Sequence, residues 1–140
     1  MKELINLKGF NLPIRILRDY YYYHCCDHDP EEGLKVLKHI SKLPVPEDDT
    51  DRITYFGSIL DLIYILLYET NTSSDIEKAY SLSRFVFDKS KKDDPYFRKK
   101  AAVYIAEYLL EIENSHTNTC VKKPSHLLHT TIHYFFQRSF

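Results

Sequence analysis

The sequence predicts an all-α fold: a short right-handed α-α solenoid of about five helices over residues 1–114, followed by a C-terminal tail over residues 115–140. Three observations predict it. The run Arg52 to Tyr68, RITYFGSILDLIYILLY, carries one charged side chain, Asp61, in its last ten residues, so it needs cover on several sides as a central helix. Asp29-Pro30 and Asp94-Pro95 each join a capping carboxylate to a proline suited to a first helical turn. The step from Pro30 to Ser74 and the step from Asp51 to Pro95 are both 44 residues, as two-helix units stacked in a row would give.

In chain order, Lys2 to Phe10 is a short helix or an ordered lead-in, and Asn11-Leu12-Pro13 opens the first clear helix. Apolar residues are then nearly continuous from Ile14 to about Cys26; the Tyr20 to Tyr23 run suits a strand as well, but an isolated strand has no partner. The second helix begins at Pro30, lays Leu34, Leu37 and Ile40 on one face with Val36 and Leu43, and stops at Pro44 and Pro46. Asp49 or Thr50 caps the central helix, which runs to about Glu69. Ser74-Asp75-Ile76-Glu77 reads as a capping box for the fourth helix, whose apolar side is Ile76, Ala79, Tyr80, Leu82, Phe85 and Val86. Lys89, Lys91 and Lys92 suit its negative end. In the fifth, Phe97, Ala101, Ile105, Tyr108, Leu109 and Ile112 recur at helical spacing up to Asn114. The tail beyond forms a short helix or stays disordered, and its apolar tip docks somewhere or is a liability.

Composition narrows the function. A net charge of −1 argues against a nucleic-acid or anionic-membrane surface, either of which needs a basic excess. Only 3 Gly are present, and none sits in a phosphate-cradling pattern. The 3 Cys, two of them adjacent, make no disulfide framework, so a reducing compartment is expected. MKELINLKGF has no long apolar stretch, and no secretory signal is expected. The apolar core around Ile59 is about half the length of a membrane span, which predicts a soluble intracellular protein with no direct membrane insertion.

His24-Cys25-Cys26-Asp27-His28 is the most ligand-rich stretch, and His24 and His28 share a helical face. Adjacent cysteines cannot point the same way on a helix, and zinc needs four ligands in a tetrahedral shell, so a helix end with small thiols is the preferred reading. His126, His129 and His133 repeat the spacing with Cys120 upstream, but no carboxylate partner lies among them. No metal or cofactor is expected. Ser and His occur without a strained glycine elbow, so no nucleophile is read and no enzyme is expected. Glu107 and Glu111 fall opposite the apolar stripe of their helix and read as solvated surface. The protein-binding candidates are Tyr20, Tyr21 and Tyr23, with Tyr134, Phe135 and Phe136 at the tail tip, because tyrosine packs its ring while its hydroxyl stays wet.

One resemblance bears on function. Asp19-Tyr20-Tyr21-Tyr22-Tyr23 corresponds to an aromatic helix, Gly33 through Leu43-Pro44-Val45-Pro46 to a short helix ending in proline, and Arg52-Ile53-Thr54-Tyr55-Phe56 to the opening of a long apolar helix. In this order they resemble the C-terminal helical region of the nucleoporin-interacting component family, the linker nucleoporins of the nuclear pore inner ring. Asp94 to Leu110, with Phe97-Arg98 and Ala101-Ala102, is similar in kind to that family's next helix. The chain starts without the long N-terminal portion that attaches the family to channel nucleoporins, so that function is not carried over. The resemblance implies a non-enzymatic scaffold or adaptor at the nuclear envelope, binding other proteins, among them nuclear pore scaffold subunits.

Two other readings share the helices. A tetratricopeptide-like adaptor for soluble partners requires a concave groove with a polar or charged peptide site. A transcription-elongation-type helical domain is suggested by LKVLKHISKLPV, but the basic helix that should follow is missing. In either case the protein is cytoplasmic or nuclear.

Overall fold

A computed structural model of the chain describes residues 10–117, which form five helices. α1 spans Ile14–Tyr20 and continues as a wider π-helical turn, Tyr21–Cys25; α2 spans Pro30–Lys42. α3 spans Asp49–Ile65 and runs on into a second π-helical turn, Leu66–Thr70; α4 spans Ser73–Lys89 and α5 spans Pro95–Thr117. The tyrosine run is helical, and no strand occurs among the described residues. Helix α5 continues to Thr117, past the boundary expected at Asn114.

The caps explain where the helices begin. Asp29 accepts the Glu32 amide at 3.1 Å with Pro30 next to it, and Asp94 accepts the Tyr96 amide at 2.8 Å ahead of Pro95. Two other caps lie upstream of the expected residues. Asp48, not Asp49 or Thr50, caps α3 by accepting the Asp51 amide at 2.9 Å. Thr72, not Ser74, caps α4 by accepting the Asp75 amide at 3.2 Å. The reason lies in Asn71: its left-handed backbone, φ 40°, turns the chain out of α3 and leaves Thr72 in the extended conformation that an N-cap needs.

The core is built on α3. Tyr55, Phe56, Ile59, Leu60, Leu62, Ile63 and Leu66 are buried, and Leu67 is half-buried. Phe56 meets Phe97 of α5 with ring centroids 5.7 Å apart, while Tyr55 meets Phe85 of α4 edge-on at 6.4 Å. The Tyr55 hydroxyl donates to the Leu43 carbonyl at 3.0 Å and ties α3 to the end of α2. On the other side, Leu17 of α1 and Val36, Leu37 and Ile40 of α2 are fully buried. The turn that ends α1 lies close against α2 at Gly33, where a Cβ would stand 3.1 Å from the Cys25 Cβ and 3.2 Å from the Tyr21 ring, so a side chain there forces its neighbours to give way. Buried Ser58, Ser83 and Ser90 donate to carbonyls four residues back, and among the described residues no buried side-chain nitrogen or oxygen lacks a hydrogen-bond partner.

Each helix packs on the next in sequence; in addition α1 touches α3, and α3 touches α5. Among the described residues, neither α1 nor α2 packs extensively on α4 or α5. Ion pairs fasten the seams around α3. Arg52 donates to Asp93 in the α4–α5 connection at 2.9 Å and also pairs with Asp49, Arg18 of α1 pairs with Asp61, and Arg15 reaches Asp51 and Asp48 at 2.7 and 3.1 Å. The apolar surface extends beyond the short core expected around Ile59. Asp49–Thr70, 22 residues that include an 18-residue window of mean hydropathy 1.2, is long and apolar enough to cross a membrane by length and composition. In this fold its large apolar side chains are mostly turned onto other helices.

Two residues of α3 test this account. Phe56→Ala is expected to cost about 3–5 kcal/mol, because the cavity lies where α3 and α5 meet. Ile53→Ala, at a side chain 53% exposed on the same helix, is expected to stay within about 0.5 kcal/mol. Chemical denaturation of both variants checks the contrast.

Candidate functional site

Two places on the surface combine shape with chemistry. The first is the end of α1. Its tyrosines divide: Tyr20 and Tyr21 are buried and present no contact surface, whereas Tyr22 and Tyr23 are 62% and 69% exposed, with their rings edge to face at 5.5 Å. Helical spacing accounts for the split: Ile14, Leu17, Tyr20 and Tyr21 share the buried face, and Tyr22 and Tyr23 fall away from it. Tyr23 is thus exposed as a contact surface requires, Tyr20 and Tyr21 serve the core, and Tyr22 joins Tyr23.

Beside them, Tyr20, His24, His28 and Asp29 line a hollow of about 270 Å³, with the Tyr20 and His24 rings stacked at 5.7 Å. The Asp29 carboxylate is engaged as the cap of α2. Cys25 is buried and Cys26 exposed, so the two thiols do not converge. Among the described residues no group of three or more His, Cys, Asp or Glu is arranged to hold a metal. Cys120, His126, His129, His133, Tyr134, Phe135 and Phe136 lie outside the described residues.

The second place is a cleft of about 200 Å³ where the end of α3, the start of α4 and the middle of α5 meet, lined by Leu67, Tyr68, Asn71, Ile76, Glu107, Tyr108 and Glu111. Here the expectation for α5 is corrected. Glu107 is only 6% exposed, and the Tyr68 hydroxyl donates to its Oε2; it is part of the packed face and not of a solvated one. Conversely Leu109 and Ile112, expected inside, are 52% and 37% exposed. The buried stripe runs through Phe97, Ala101, Tyr104 and Glu107, at steps of four, three and three residues, and so turns away from Leu109.

Tyrosines surround the cleft. Tyr80 stacks on Tyr108 with centroids 4.1 Å apart and planes 15° apart, and Tyr64 lies 5.0 Å from Tyr68. One turn back on α5, the Lys100 ammonium sits 5.3 Å over the Tyr104 ring, and burial lowers the Lys100 pKa. Chemically, the described lining of the cleft offers carboxylates and phenol rings. No local motif could reveal it, because its lining comes from three separated segments. The one signal was Glu107 standing between Tyr104 and Tyr108.

No protein-family model, no curated protein and no solved structure matches the chain. The likeness to the linker nucleoporins rests on the quoted residues alone. Of its Arg52 to Phe56 element, the fold uses Arg52 as an ion-pair hub and Tyr55 and Phe56 as core.

The buried phenols give a pH test. Burial pushes the Tyr20 hydroxyl from 10.0 up to about 12 and also raises Tyr21, Tyr55 and Tyr104. The folded chain therefore keeps protons that the unfolded chain releases. The stability this contributes is whole below pH 10.0 and is lost as the pH climbs toward 12. Base titration by circular dichroism is expected to show unfolding in that window, with phenolate absorbance still rising as helix is lost. Complete ionisation of every tyrosine in a chain still fully helical would count against it.

Proposed function

We propose that the chain is a protein-binding adaptor that acts by burying surface, with its helices stacked as an open α-α solenoid. Support for the stack comes from the packing order: each helix packs on the next, α3 also touches α1 and α5, and among the described residues the first two helices do not pack extensively on the last two. The observation that carries the binding function is the exposure of large side chains at both ends of that order. Tyr22 and Tyr23 stand out at the end of α1, and Leu109 and Leu110, 52% and 37% exposed, on the last helix. Apolar surface left in water at defined places is what a partner covers.

Two narrower forms of the proposal differ in the partner. A scaffold module of the nuclear pore follows from the resemblance of Arg52 to Phe56 and the elements before it. An adaptor for soluble partners, of the tetratricopeptide kind, is favoured by the tyrosine and glutamate cleft, a polar peptide site of the sort that reading requires.

The full chain with Tyr22→Ser and Tyr23→Ser, and separately with Leu109→Ser and Leu110→Ser, is expected to lose partners captured from cell and nuclear-envelope extracts. Each exposed position should change stability by no more than about 0.5 kcal/mol. Quantitative mass spectrometry of the captured proteins, alongside Tm, measures both. Enrichment of pore scaffold subunits supports the first form and their absence the second; capture equal to that of a blank matrix overturns the adaptor reading.

A further inference from the structure

Helix α5 has a second apolar side. Phe97, Ala101 and Tyr104 face the core, while Ala102, Ile105, Ala106 and Leu109, at steps of three, one and three residues, fall on another side of the helix. Among the described residues α5 packs extensively only on α3 and α4, and Ile105 and Leu109 stand outside the core built there. Ala102, Ile105 and Ala106 are half-buried, and Leu109 is 52% exposed. We propose that residues 126–136 of this chain fold as a sixth helix antiparallel to α5 and cover that side, so that a partner must displace them to reach Leu109. The displacement rests on the adaptor reading, and the docking does not.

The sequence supplies a matching face. Leu128, Ile132, Phe135 and Phe136 recur at steps of four, three and one residues, the spacing of a single helical stripe, and His126, His129, His133 and Gln137 fall on the other side. One neighbour covers such a stripe. A helix this short is marginal alone in water and forms by packing, which ties its folding to the face it covers.

Chain length and position single out α5 as that neighbour. Residues 118–140 continue from Thr117, the last residue of α5. A link over 118–125 falls within the ~2–8 residues that join neighbouring helices, and Pro124 within it interrupts any continuation of α5. With the chain reversed, each residue of the tail helix climbs about 1.5 Å back along α5, which brings Phe135 and Phe136 level with Ala106 and Leu109. Small Ala106 leaves room for a ring beside Leu109. The arrangement also continues the packing of the described helices, each of which lies on the next in sequence.

Charge agrees. Residues 118–140 hold Lys122, Lys123 and Arg138 and no Asp or Glu, whereas acids outnumber bases over residues 10–117. Lys122 and Lys123 follow the C-terminal end of α5, where the helix dipole favours a cation.

Hydrogen–deuterium exchange of the full chain, read by mass spectrometry of its peptic peptides, tests the contact. Amides of 126–136 are expected to exchange at least about tenfold more slowly than in a free synthetic peptide of the same sequence. Leu109→Ser, which lies outside the tail, is expected to speed them about tenfold toward the free rate, and Leu109→Met to leave them protected. Ile132→Ser with Phe135→Ser should speed exchange across 105–110, with circular dichroism to show that the core helices persist in each variant. The same tail variant is expected to capture more of the partners that Leu109→Ser with Leu110→Ser loses. Tail amides at the free rate, protection indifferent to Leu109→Ser, or protection that grows with protein concentration, the mark of a second copy's tail, would each overturn the docking. Protection without a gain in capture overturns the displacement alone. Capture equal to the blank removes the adaptor reading and leaves the docking to the exchange result, which decides it independently.

Discussion

Helix α3 is apolar on nearly every side, and that one constraint organises the described chain. A helix with a single apolar stripe is satisfied by one neighbour; this one must be covered from several directions. α1 and α2 cover one side, α4 and α5 the other, and the two pairs therefore have no need to meet across it. The aromatic chain of Phe85, Tyr55, Phe56 and Phe97 shows how one turn of α3 serves two neighbouring helices, α4 and α5, at once.

Hydrophobic cover is not directional, so on its own it leaves open how far each neighbour slides along α3. Polar contacts at separate heights remove that freedom. Arg52 engages Asp93 near the start of α3, Asp61 engages Arg18 midway, and Tyr68 engages Glu107 at the end. Each involves a different neighbouring segment: the α4–α5 connection, α1 and α5. All three are part-buried, where the cost of desolvation offsets much of the attraction. Their part here is register, which is where a buried or half-buried polar contact is most useful.

What was legible in the sequence follows from how local each feature is. Asp29-Pro30 and Asp94-Pro95 state their caps within two residues, and both were read correctly. The caps of α3 and α4 were misread by one or two residues because Asp48, Asp49 and Thr50, or Thr72, Ser73 and Ser74, all carry a suitable oxygen. Only the backbone of the residue before decides among them, as Asn71 does for Thr72. Glu107 was misread for a different reason. A stripe drawn through every apolar residue of α5 includes Leu109 and Ile112, whereas the face that packs keeps a tighter course through Tyr104 and admits a carboxylate with a phenol to meet it. A hydrophobic pattern cannot report a polar residue that is buried because its partner arrives from another helix.

The two π-helical turns connect these points to function. Both occur at the end of a helix: Tyr21–Cys25 in α1 and Leu66–Thr70 in α3. Widening a turn by one residue shifts every later side chain around the axis, so residues that would continue the buried stripe are redirected. In α1 the turn holds Tyr22 and Tyr23, which face outward, while Tyr20 and Tyr21 pack inward. In α3 it accompanies the turn of Tyr68 toward Glu107, and the strained Asn71 then closes the helix against the cleft. The same local device thus lies beside both candidate surfaces. Such turns are costly in hydrogen-bond geometry and tend to persist where a redirected side chain has a use. That coincidence is the structural reason for looking to the end of α1 and the end of α3, and not to the ligand-rich His24 to His28 stretch as such, for what this protein binds.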